Sequence, residues 1–111
     1  MPAKYRTILV AIGFAAATVG ASAQQLGDLQ KGRAYAQMVC VECHSVERVQ
    51  ASSPNANAPA FRAVATAPGM TETALRVWFQ TPHPTMPNLR LDDDQKDNLI
   101  AYILSLKNTG R

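Results

Sequence analysis

The sequence predicts an all-α domain of three main helices and one long loop. Three observations carry this expectation. Three separate segments place apolar residues three and four apart, the spacing of one helix face. No segment shows the sustained alternation of a half-buried strand. Between the first two helices lies an irregular stretch of about 25 residues, rich in Ala, Ser, Asn and Pro.

The chain opens on a segment that reads as an address rather than as structure. Lys4 and Arg6 form a positive start, Ile8 to Val19 an apolar run, and Ala21-Ser22-Ala23 a small-x-small cleavage pattern. A transmembrane span would need about 20 apolar residues, and this run is broken by Gly13 and closed by Gly20. The expectation is a signal peptide over residues 1–23, a mature domain over residues 24–111, and no stable membrane insertion after cleavage.

The first helix is expected over Leu29–Val39, with Leu29, Gly32, Ala36 and Val39 on one face and Asp28 as its N-cap. Pro59 followed by Phe61-Arg62-Ala63-Val64 predicts one short helical turn inside the long loop. Thr71 is placed to cap a second helix that ends at Gln80 and carries Leu75, Trp78 and Phe79 on one face. The third spans Asp92 to Lys107, with Leu99, Ile100, Ile103, Leu104 and Leu106 at helical spacing. Its order of charge, three aspartates at the start and Lys107 at the end, complements the helix dipole.

Charge excludes one class of partner. The whole chain carries 11 Lys and Arg against 8 Asp and Glu. Without Lys4 and Arg6 nine basic residues remain, a net +1, and the lysines Lys31, Lys96 and Lys107 are scattered. The basic footprint of a nucleic-acid binder is missing. The apolar segments are also short for a self-sufficient core, because a domain this small buries only a modest share of its surface. Something other than side chains is expected to fill the middle.

Cys40-Val41-Glu42-Cys43-His44 supplies the candidate. Residues i and i+3 of a helical turn project from one side, so Cys40 and Cys43 can each bond a haem vinyl group. His44 then falls beneath the iron as proximal ligand, which makes this C-x-x-C-H a c-type haem attachment site. A thioredoxin-like motif would need a neighbouring βαβ pattern. A structural zinc would need four ligands, and outside the leader only Cys40, Cys43, His44 and the separate His83 are on offer.

The sixth ligand is expected to be Met86. It sits in Thr81-Pro82-His83-Pro84-Thr85-Met86-Pro87-Asn88-Leu89, where three prolines hold the backbone extended and non-helical. Met70 is a weaker candidate, and Met38 lies on the attachment helix. His83 is the rival, since imidazole binds haem iron well and bis-His ligation would lower the potential.

With these residues the chain resembles the class I c-type cytochromes, the small soluble bacterial monohaem kind, over nearly all of the segment after the leader. The resemblance implies a cytochrome c fold, wrapped around one covalently bound haem c. Gly32 stands where that family has a helix glycine crossed by its C-terminal helix, for which Leu99-Ile100-Ala101-Tyr102-Ile103 looks like the partner. Asn57-Ala58-Pro59 is similar to the segment whose carbonyl accepts the proximal His N–H, and Met86-Pro87 to the distal methionine motif. One departure is Ala36, where the family commonly has an aromatic; Tyr35 is beside it.

The haem faces are then expected to be covered by Phe61, Val64, Leu75, Trp78, Phe79, Leu99 and Ile103. Trp78, Arg62 and Arg76 are candidate partners of the propionates. A closed His44/Met86 pair disfavours substrate chemistry, so the expected function is one-electron transport in the periplasm, without enzymatic activity. The partners would be redox proteins such as a dehydrogenase, oxidase or reductase. The alternatives are a cytochrome subunit of a periplasmic dehydrogenase and, behind it, a haem peroxidase or gas sensor with an open distal site.

Overall fold

The structure is a computed structural model and describes residues 13–15, 17, 27–49 and 52–108. Most of the expected signal peptide and the Gly110 that follows the last helix lie outside the described residues. Four helices appear: α1 (Leu29–Val39), α2 (Phe61–Thr66), α3 (Glu72–Gln80) and α4 (Asp93–Ser105). Short 3-10 turns over Cys40–Glu42 and Leu106–Asn108 extend α1 and α4. The described residues contain no strand, and none of their helices is long and apolar enough to cross a membrane.

Each long helix starts where a side chain satisfies its orphan amides. The Asp28 carboxylate accepts from the backbone N–H of Gln30 and Lys31 at 2.9 and 3.1 Å. Thr71 Oγ1 accepts from Ala74 N–H at 3.1 Å. Asp92 and Gln95 form a reciprocal capping box at 2.7 and 3.1 Å. Such caps contribute about 1 kcal/mol each. The short turn expected after Pro59 is a full α2 of six residues. It lacks a side-chain cap, and instead Phe61 N–H donates to the Ser45 carbonyl at 2.9 Å. It stops at Ala67, whose backbone is extended before Pro68.

The central packing event is the crossing of α1 and α4. A Cβ built on Gly32 would collide with the Asn98 carbonyl and lie 2.8 Å from Tyr102 Cβ, so only glycine admits this approach. Gly27, which the periodicity did not single out, lies equally close to the Asp97 backbone. Asn98 adds a polar tie, its Oδ1 accepting from Asp28 N–H at 2.7 Å. Four residues past Gly32, Ala36 is fully buried, and Tyr35 packs on the core from the side.

Around this crossing Leu99, Ile100, Ile103 and Leu106 meet Val46, Phe61, Ala65 and Leu75. Of the expected haem-covering residues, Phe61, Leu75, Leu99 and Ile103 are buried, and Val64 and Phe79 pack at the edge of the cluster. Trp78 lies outside this cluster, half-exposed on α3 away from the α4 contact that buries Leu75.

The long loop is tethered rather than free, which is how a compact domain accommodates it. The buried Tyr102 hydroxyl donates to the Val46 carbonyl at 2.6 Å. Ser45 N–H donates to Ser53 Oγ at 3.0 Å, and Asn55 N–H to the Cys43 carbonyl at 3.1 Å. Arg33 and Gln37 of α1 both hold Glu47, the former at 3.1 Å.

Two outcomes follow. Gly32→Ala should destabilise the haem-loaded protein by about 1–3 kcal/mol through overpacking, although alanine is the better helix former. The urea midpoint checks this, and an unchanged midpoint would refute the close crossing. Burial, with Glu47 adding a smaller push, raises the Tyr102 phenol above its ordinary 10.0. The folded state therefore holds that proton more tightly than the unfolded state. The stability this confers is full below pH 10 and is lost as pH climbs through the raised folded value. A urea midpoint that falls above pH 10 in the parent and stays flatter in Tyr102→Phe is the expected result.

Candidate functional site

α1 runs directly into the attachment motif, so the helix crossing also positions the cysteines. The Cys40 carbonyl accepts from Cys43 N–H at 3.2 Å and from His44 N–H at 2.9 Å, closing one tight turn. Cys40 is buried and Cys43 exposed. Before haem is attached, burial pushes the Cys40 thiol up to about 11.

His44 is oriented from the far end of the loop. Its Nδ1 stands 2.6 Å from the Pro59 carbonyl. A carbonyl oxygen only accepts, so Nδ1 is the donor, and in the neutral ring this leaves the Nε2 lone pair for a metal. Proline at this position helps, because its fixed φ stiffens the acceptor's own backbone. Phe61 packs on the imidazole with ring centroids 5.4 Å apart and planes at 50°. The Phe61 N–H bond to the Ser45 carbonyl places that ring immediately beyond the motif.

The second group of expected residues converges after α3. Trp78, His83 and Met86 line a cleft of about 130 Å³, together with Phe79 and Pro82. His83 stands between the other two. Its ring meets Trp78 edge-on at 5.0 Å and 86°, its Nδ1 is 3.0 Å from the Thr81 carbonyl, and its Nε2 is 2.9 Å from Met86 Sδ. Just before Met86, Thr85 adopts φ of 73°, the left-handed region that a β-branched residue enters only under strain. Strain of this kind costs about 1–3 kcal/mol and concentrates at functional sites.

The remaining candidates are placed elsewhere. Met70 is half-buried against the core and its carbonyl accepts from Lys107 Nζ at 2.8 Å, so its segment is fastened to the end of α4. Met38 is 73% exposed on α1. Arg76 is not free for a propionate: Glu72 and Asp97 hold its guanidinium at 3.0 and 2.5 Å, bridging α3 to α4. Arg62 is exposed on α2. Sequence reasoning missed Thr85, for which a threonine within a proline-rich run gives no signal of positive φ. It also missed the Asn98 tie, which depends on register across 70 residues.

A helix turn presenting two thiols, a tautomer-locked histidine beside them and an all-α frame define a haem-attachment domain. Residues 29–107 match the family described as Cytochrome c, and the chain belongs to that family. Its small size fits class I. Comparison with curated proteins and with solved structures finds no match. The family binds haem c covalently through a C-x-x-C-H motif, and one haem is typical of so small a domain. The donor set fits: two thiols one turn apart, and an imidazole whose Nδ1 is engaged by Pro59, which leaves Nε2 as the nitrogen to meet a metal.

Thr85→Asn tests the strain before Met86. Asparagine enters the left-handed region readily, so the variant should gain about 1 kcal/mol of stability without altering the visible spectrum. A loss of stability would show that Thr85 makes a compensating contact.

Proposed function

We propose that this cytochrome is an exported, periplasmic one-electron carrier with a His44/Met86-ligated haem. Family membership establishes haem-based electron transfer; the ligand pair, the location and the partners are the proposal. The observation that carries it is the 2.6 Å bond from His44 Nδ1 to Pro59, which leaves Nε2 as a fixed donor beside both cysteines. Haem supplies an iron that accepts and releases one electron.

In this reading Cys40 and Cys43 form the thioethers and His44 provides the proximal nitrogen. Met86 provides the distal sulfur, and thioether ligation raises the potential. Pro59 holds the His44 proton, and Trp78 flanks the pocket. The prolines at positions 82, 84 and 87 restrict backbone rearrangement around Met86, which keeps ligand geometry steady between oxidation states. Phe61, Leu75 and Leu99 exclude water from the apolar interior.

Export is supported by the leader pattern of residues 1–23 and by the usual export of cytochrome c domains. The partners proposed are redox proteins, and the surface offered to them is neutral. Thr81 to Leu89 contains no Lys, Arg, Asp or Glu, which suits the small contacts of weak redox encounters.

Voltammetry of the holoprotein tests the reading. One reversible one-electron wave is expected, and Met86→His should keep the fold while lowering the midpoint potential. An unchanged potential in that variant would exclude Met86 as a ligand.

A further inference from the structure

We infer that His83 is a reserve iron ligand, held in place to take the distal position when the Met86 thioether is lost. The inference rests on the reading of Met86 as the distal ligand. It starts from the contact between the two side chains. His83 Nε2 and Met86 Sδ lie 2.9 Å apart. His83 Nδ1 is 3.0 Å from the Thr81 carbonyl, so Nε2 is the ring nitrogen turned toward the sulfur. An imidazole nitrogen and a thioether sulfur, both groups that bind iron, therefore converge on one point of the cleft.

The surroundings favour retention of this arrangement. Trp78 braces the imidazole edge-on at 5.0 Å, and the Thr81 bond fixes the ring from its other nitrogen. Pro82 and Pro84 on either side fix φ and limit how far the backbone can carry the ring away. Loss of the thioether then yields a low-potential bis-His centre, and not an open site that binds small ligands.

Three holoproteins test this: the parent, Met86→Ala and Met86→Ala/His83→Ala. The oxidised parent should show the weak far-red band of methionine–iron ligation. Its absence would overturn the Met86 reading and this inference with it. If the band is present, oxidised Met86→Ala should remain low-spin, and its reduced form should bind carbon monoxide poorly. The double variant should be high-spin and bind carbon monoxide readily. A high-spin, carbon-monoxide-binding Met86→Ala would overturn the reserve role while leaving Met86 as the ligand, as would a double variant that stays low-spin.

Discussion

The His44 Nδ1 contact with the Pro59 carbonyl spans 15 residues and joins the two parts of the molecule that must meet for haem to be held. At one end is a cysteine turn whose position is inherited from α1. At the other is the end of a long loop that has few apolar side chains of its own. Without an acceptor at Pro59 the imidazole would be free to rotate and to exchange tautomers. Its Nε2 would then no longer be a fixed donor. Everything that anchors the loop serves this bond: the Tyr102 hydroxyl on Val46, Ser53 on Ser45, Asn55 on Cys43, and Glu47 between Arg33 and Gln37.

The two sides of the proposed haem site are built by different means. The His44 side is positioned by packing, since the glycine-mediated crossing of α1 and α4 sets the cysteine turn against a buried cluster. The Met86 side is ordered by the backbone itself, through three prolines, a strained Thr85 and a histidine braced by Trp78. That division suits a carrier, whose proximal side must never release the cofactor and whose distal ligand must lie near the surface that partners meet.

Much of this was legible in the residues. α1 lies where its periodicity and Asp28 put it, Thr71 caps α3 as its position implied, and α4 starts among the aspartates expected in its first turn, with Asp92 as the cap. Those signals are local, involving groups a few residues apart. The C-x-x-C-H motif is local too, and it carried the cofactor. What escaped was set by tertiary register. Arg76 was free to suit a propionate until α4 brought Asp97 against it. The proximity of His83 to Met86 was evident from sequence, but not which ring nitrogen faces the sulfur. That depends on a carbonyl two residues back.

The central claim is that Met86, and no other side chain, faces the haem opposite His44. Proton NMR of the reduced, diamagnetic holoprotein with methyl-labelled methionine tests it most directly. A methyl held over the haem ring is carried far upfield by the ring current. The account predicts one such resonance, belonging to Met86, with the Met38 and Met70 methyls near ordinary positions. An upfield methyl that survives replacement of Met86, or a spectrum with none at all, would contradict it.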